Sequence, residues 1–130
     1  MDSARETVAT DAAPGAIGPY SQAVRHAGVL YCSGQIALDP RSGEPVGDSV
    51  ADETRQCLRN LAAVCEAAGT DLSRALRLTI YTTELGEFAS INEAYAEFFA
   101  ADPPARAAVG VAALPKGARV EIDASVAIDS

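Results

Sequence analysis

The chain has 130 residues, 48% of them hydrophobic, and a formal net charge of −8. That length suits a single domain that buries its core without staples. Basic residues scattered singly through an acidic chain offer no stripe for a phosphate backbone, so no nucleic acid is expected as a partner, and an anionic small molecule needs one dedicated cationic anchor.

Residues 1–13 lack the apolar run of a signal peptide and read as a flexible N-terminal tail, with 14–130 as a single domain. The longest uncharged apolar run, 107–114, is far short of a membrane span, so no membrane partner is expected and the protein is placed in the cytoplasm. Cys32, Cys57 and Cys65 are odd in number and lack the spacing of a metal or redox motif. They read as buried thiols in a reducing compartment.

Pro14-Gly15 and Gly18-Pro19 punctuate an irregular entry. A short strand is predicted over 20–26, a turn at Ala27-Gly28, a second strand over 29–36 and a loop over 39–47. Ser49-Val50-Ala51-Asp52 resembles a capping box, with Asp for the usual Glu. Leu58, Leu61, Ala62, Cys65 and Ala68 then recur at helical spacing, and Gly69 is the natural stop.

Residues 74–83 alternate, with Leu76, Leu78 and Ile80 facing one way and Arg77, Thr79 and Tyr81 the other. Phe88, Ile91, Tyr95, Phe98 and Phe99 mark a second helix, which Pro103-Pro104 is expected to end. A strand of small residues follows over 105–114, then a turn at Pro115-Lys116-Gly117. In the last strand Val120, Ile122, Ala124, Val126 and Ile128 share one face, and Glu121, Asp123 and Ser125 the other.

The order ββ-α-β-α-β-β implies an α/β fold, one mixed sheet covered on one face by two helices. Arg106, Ala108, Gly110 and Ala112 are expected on the opposite face, with Glu121 on the next strand. So small and apolar a surface suggests a cover of further copies of the chain.

His26 is the sole histidine and sits beside a tight turn, which leaves no His and Cys cluster for a metal and no nucleophile-histidine pair. Neither metal nor cofactor is expected. Arg106, at the mouth of a strand, is either a surface arginine or a bidentate grip on a carboxylate. Glu121 is either a solvated alternation partner or a general base that positions water. Asn92 either caps a core backbone group or reaches a ligand. Tyr20 follows a loop able to fold over a pocket, and the glycine of Ser33-Gly34 lets another group approach the backbone.

The runs Pro104-Ala105-Arg106-Ala107-Ala108-Val109, Leu114-Pro115-Lys116-Gly117 and Val120-Glu121-Ile122 resemble the signature of the Rid family, also called the YjgF or UK114-type family. Ala16-Ile17-Gly18-Pro19-Tyr20-Ser21-Gln22, Ser33-Gly34-Gln35-Ile36 and Glu66-Ala67-Ala68-Gly69 match in order, as do Asn92, Tyr95 and Phe98-Phe99. The resemblance implies a chorismate-mutase-like fold, a homotrimer around a central barrel with sites between subunits, and deamination of 2-imino acids to 2-keto acids and ammonia. It assigns Arg106 and Glu121 to catalysis, with Arg106 also holding the substrate carboxylate, and Tyr20, Ser33, Gly34 and Asn92 to substrate binding. Many members carry a cysteine two residues after the arginine, where this chain has Ala108.

In a simple hairpin of the last two strands, Arg106 and Glu121 would lie roughly 20 Å apart. Sharing a site then requires another strand order or another subunit. A non-catalytic ligand-binding or chaperone-like trimer is the alternative reading. An endoribonuclease, the third, sits poorly with the acidic balance and lone histidine.

Overall fold

A computed structural model describes residues 4–129. Its centre is the most regular alternation in the sequence, which forms strand β6 (Val120–Ala127). The other strands are β1 (Glu6–Val8), β2 (Ala23–His26), β3 (Val29–Ile36), β4 (Ala75–Thr82) and β5 (Ala105–Gly110). They form one sheet in the order β1-β2-β3-β6-β4-β5. Only β4 and β5 run parallel. The connection between them is helix α2 (Phe88–Ala96), as a parallel pair requires a crossover. Helix α1 (Val50–Ala68) joins β3 to β4, and β6 slots between those two strands, antiparallel to both.

The alternation of β6 puts Val120, Ile122, Ala124 and Val126 in the core, where they meet Leu30 of β3 and Leu78 and Ile80 of β4. Leu58, Leu61, Val64 and Cys65 of α1 close over them, all inaccessible to solvent. Burying a side chain of this size contributes roughly 1.5–3 kcal/mol, so this layer holds the sheet and helix together. Ser49 caps α1 by accepting the Asp52 N–H at 3.1 Å, while the Asp52 carboxylate turns to Arg55 Nη1 at 3.1 Å. Gly69 ends the helix in the left-handed region, φ 95°, and the Thr70 N–H reaches back to the Cys65 carbonyl at 3.0 Å. Among the described residues no helix is long and apolar enough to cross a membrane.

Several expectations shift. The segment read as a tail contributes edge strand β1, and Ala13 is buried. The early strand begins at Ala23, not at residue 20, and β5 stops at Gly110, not at 114. Helix α2 ends at Ala96, well before the prolines, after which tight turns from Phe98 to Tyr95 and from Phe99 to Ala96 take over. Leu76 is the extra residue of a β-bulge and is half exposed, so it is not in the row of Leu78 and Ile80.

The largest correction concerns β5. Arg106, Ala108 and Gly110 pair with Leu78, Ile80 and Thr82 and therefore stand on the helix side of the sheet. Ala107 and Val109 pair with Thr79 and Tyr81 and share the open face with Glu121. A strand of alanines and glycine carries no alternation of polarity that could set its frame, and a one-residue slip inverts every side chain.

Buried polar groups tie the loops to this frame. Gln22 donates to the carbonyls of Pro14 at 2.7 Å and Thr10 at 3.1 Å, and accepts the Thr10 N–H at 2.6 Å. Glu53, 6% exposed, accepts the Arg119 N–H at 2.9 Å and Arg119 Nε at 2.6 Å. The Arg119 carbonyl in turn accepts Thr82 Oγ1 at 2.7 Å, so α1, β4 and the entry to β6 share one polar knot. Removing the carboxylate with Glu53→Ala strands both Arg119 donors. We expect a loss of about 2 kcal/mol, read as a lower urea midpoint at unchanged slope. A variant that unfolds at the parental midpoint would show that the knot contributes nothing.

Candidate active site

Two clefts matter, one associated with each face of the sheet. The larger, about 570 Å³, opens beside β3 and β6 and is lined by Ile17, Tyr20, Ser33, Gly34, Lys116 and Glu121 among others. Alternation along β6 lifts Glu121 out of the core and onto this face. On the neighbouring strand, β3 carries a bulge between Cys32 and Gln35, where Ser33 and Gly34 stand across from the single residue Asp123.

Gly34 decides how near that carboxylate comes. A Cβ built on it would stand 2.1 Å from Glu121 Oε2 and 3.0 Å from Cδ. The Glu121 side chain lies directly on the glycine backbone, in space that any other residue would fill. Burial raises the Glu121 pKa above its ordinary 4.5, and the Asp123 carboxylate on the same face adds repulsion. Among the described residues this carboxylate makes no hydrogen bond and no ion pair.

Ser33 is committed to the wall of the cleft. Its hydroxyl donates to the Ser21 carbonyl at 2.6 Å and its N–H to the Gln22 carbonyl at 2.9 Å. With its one proton spent, Ser33 Oγ offers a ligand lone pairs only. Tyr20 is half exposed at the rim, with its N–H on the Gly18 carbonyl at 2.9 Å. Lys116, in the turn expected at Pro115-Lys116-Gly117, also lines this cleft, a role its local sequence does not reveal. It holds a left-handed backbone, φ 56°, and its Nζ donates to the Gly43 carbonyl at 3.2 Å.

The second cleft, about 410 Å³, lies against α2 and is lined by Asn92, Tyr95, Phe99, Pro103, Pro104 and Arg106 among others. The Arg106 guanidinium carbon is 5.2 Å from the Phe88 ring centroid and 4.9 Å from that of Tyr95. Each such contact is worth about 0.5–1 kcal/mol at an exposed site. Nη1 donates to Asn92 Oδ1 at 2.7 Å. Asn92, expected to line a substrate cleft, thus spends its acceptor on the arginine. The Tyr95 hydroxyl is buried with no partner among the described residues, and burial pushes its pKa up.

The expected site residues therefore divide. Tyr20, Ser33, Gly34 and Glu121 meet in the larger cleft, and Asn92 and Arg106 in the smaller. Arg106 is in register with Leu78, Leu78 with Ala124, and Glu121 lies three residues along from there. That is about 10 Å along the strands and two strand spacings of about 5 Å across, nearer than a hairpin allows. Yet the two side chains leave opposite faces, and the sheet stands between them. The described residues hold no group of three or more His, Cys, Asp or Glu placed to bind a metal ion.

Residues 10–128 match the family model described as endoribonuclease L-PSP. The chain is 47% identical over 120 residues to the human 2-iminobutanoate/2-iminopropanoate deaminase, which covers 92% of this chain and 88% of the human protein. The structure of Yersinia pestis YyfA, of the conserved Rid protein family, superposes with a TM-score of 0.93 at 42% identity, covering 96% of this chain and 100% of the other. E. coli TdcF, solved with bound serine, superposes at 0.89 with 39% identity over 95% of this chain and 99% of its own. The chain belongs to the endoribonuclease L-PSP family and shares the fold of its Rid proteins.

Proposed function

We propose that this chain hydrolyses reactive 2-imino acids, such as those formed from 2-aminoacrylate and 2-aminocrotonate, to 2-keto acids and ammonium. One observation carries the reading: a partly buried carboxylate, raised in pKa and without a hydrogen bond or ion pair among the described residues, lies over a glycine backbone in a cleft large enough for a small acid. An acid–base group works best with a pKa drawn toward the working pH. The naming of the human relative as a deaminase supports the same chemistry. So does the serine bound by TdcF, which carries the same carboxylate and α-nitrogen pattern as the proposed substrate.

The reaction needs little from the protein. The protonated imine carbon is already electrophilic. Arg106 holds the carboxylate, and Glu121 takes a proton from water as its oxygen attacks that carbon. That proton then goes to the nitrogen of the tetrahedral intermediate, the C–N bond breaks as Glu121 takes the hydroxyl proton, and the departing ammonia carries this second proton away as ammonium. Iminium plus water gives keto acid plus ammonium, with charge and atoms balanced. Orienting bound water against a fixed substrate contributes up to about 7–11 kcal/mol in the best models.

Because the sheet separates Arg106 from Glu121, the complete site draws Arg106 from one copy and Glu121 from its neighbour. The assembly proposed is a homotrimer. The ribonuclease reading gains less, since the lining of neither cleft includes a histidine.

Two tests follow from this arrangement. Arg106→Ala and Glu121→Gln should each slow clearance of imine generated in situ by about 100-fold or more. Mixing the two variants through partial unfolding and reassembly should restore activity at about a quarter of the sites in a cyclic trimer. No recovery on mixing would place the site within one copy. Wild-type protein that fails to speed clearance would leave only a binding protein.

The second test is pH. Activity should fall as the medium is acidified through the raised Glu121 pKa, a flank lying above the ordinary glutamate value of 4.5. The sign for stability is opposite. A carboxylate with raised folded pKa contributes most when protonated, below its unfolded pKa, and that contribution is lost as pH rises through the folded value. Glu121→Gln should therefore melt above wild type at neutral pH, by a margin that shrinks toward pH 4. A margin that grows on acidification would contradict the burial of this group.

A further inference from the structure

Phe88, Asn92 and Tyr95 stand four and seven positions apart along α2 and so occupy one face of the helix. All three touch the same guanidinium. Phe88 and Tyr95 lie 5.2 Å and 4.9 Å from its carbon, and Asn92 Oδ1 takes Nη1 at 2.7 Å. Among the described residues, Nε and Nη2 have no protein acceptor. We propose that this face of α2 is a positioning cradle, which turns Arg106 so that its Nε–Nη2 edge, and no other, meets the substrate carboxylate. The proposal rests on the reading of Arg106 as the carboxylate anchor.

The chemistry of each member supports the assignment. An arginine side chain on an edge strand has several rotatable bonds and no intrinsic preference for one orientation. Aromatic rings attract a cation to their faces and restrict where its carbon sits, but leave its edges interchangeable. Asn92 breaks that equivalence. Of the two edges with parallel donors, Nε–Nη2 and Nη1–Nη2, Asn92 Oδ1 engages the second at Nη1. The Nε–Nη2 edge keeps both of its donors, and that is the geometry a carboxylate matches.

Tyr95 gives the cleanest separation of positioning from folding. Its hydroxyl makes no hydrogen bond among the described residues, so removing it breaks none of those bonds, while the ring is what faces the Arg106 guanidinium. Tyr95→Phe keeps that ring. Tyr95→Leu removes it and keeps an apolar side chain. Phe88, only part buried, offers a second ring for the same test through Phe88→Leu should Tyr95→Leu fail to fold.

The experiment uses the assembled protein and pyruvate, a 2-keto acid of the product class, as the probe. Binding is measured by calorimetry, and the guanidinium nitrogens are followed by ¹⁵N NMR. In the wild type the two Nη signals should be distinct, because Asn92 and the rings oppose rotation about the Nε–Cζ bond. Tyr95→Leu, Phe88→Leu and Asn92→Ala should each merge those signals and weaken pyruvate binding by about tenfold. Tyr95→Phe should keep the signals apart and bind within about twofold of wild type.

A folded Tyr95→Leu or Phe88→Leu protein with distinct signals and wild-type affinity overturns the cradle. Imine turnover is not needed for either readout. Wild-type protein that shows the cradle signature but does not hydrolyse imine would reject the deaminase reading and leave the cradle standing. Active wild type with unaltered variants would do the reverse.

Discussion

The insertion of β6 between β3 and β4 is the constraint on which the rest of the molecule depends. A strand with neighbours on both sides has its pleat fixed, so alternate residues must leave opposite faces. Val120, Ile122, Ala124 and Val126 go down under α1. Glu121 has no choice but to go up, away from the helices, onto the face where the bulge of β3 and the loop before β2 make a cleft. The apolar packing that stabilises the sheet is thus also what aims the carboxylate. The knot of Glu53, Arg119 and Thr82 sets the height at which β6 enters, two residues before Glu121.

The other half of the proposed site answers to a different constraint. β5 joins the sheet through a parallel pairing with β4, reached by way of α2. The crossover that brings β5 to the edge also lays α2 beside it, which is why Arg106 finds two rings and an amide waiting. Carboxylate and guanidinium are therefore products of two independent packing decisions. Nothing within one copy brings them together, and this separation makes the oligomer part of the proposed chemistry rather than an addition to it.

Much of this architecture is legible in the residues themselves. Ser49 and Gly69 bracket α1 because capping chemistry is local, and the alternation of β6 is visible because its apolar residues are large. What is hidden is equally physical. The frame of β5 cannot be read from Ala105, Ala107, Ala108 and Gly110, since small side chains fit either face. The bulge at Leu76 leaves an apolar residue half exposed, against the alternation around it. The division of the site residues between two clefts depends on strand order, which is a long-range property. Asn92 could be recognised as polar on an otherwise apolar helix face, but its role waits on where the crossover places Arg106. The spacing of Phe88, Asn92 and Tyr95 was in view throughout. It lacked only the cation that gives it meaning.

The bulge of β3 has one more implication, for chain length. Cys32 and Gln35 both face the core although they are three residues apart, an odd step that only the extra residue makes possible. Deleting either Ser33 or Gly34 would restore a regular ladder at the local level. Gln35 would then follow Cys32 by an even step, keep its pairing with Ile122 and still face the core, so the sheet beyond would hold its register. What would go is the irregular stretch that lays the glycine backbone under Glu121. The extra residue thus serves the cleft and not the sheet.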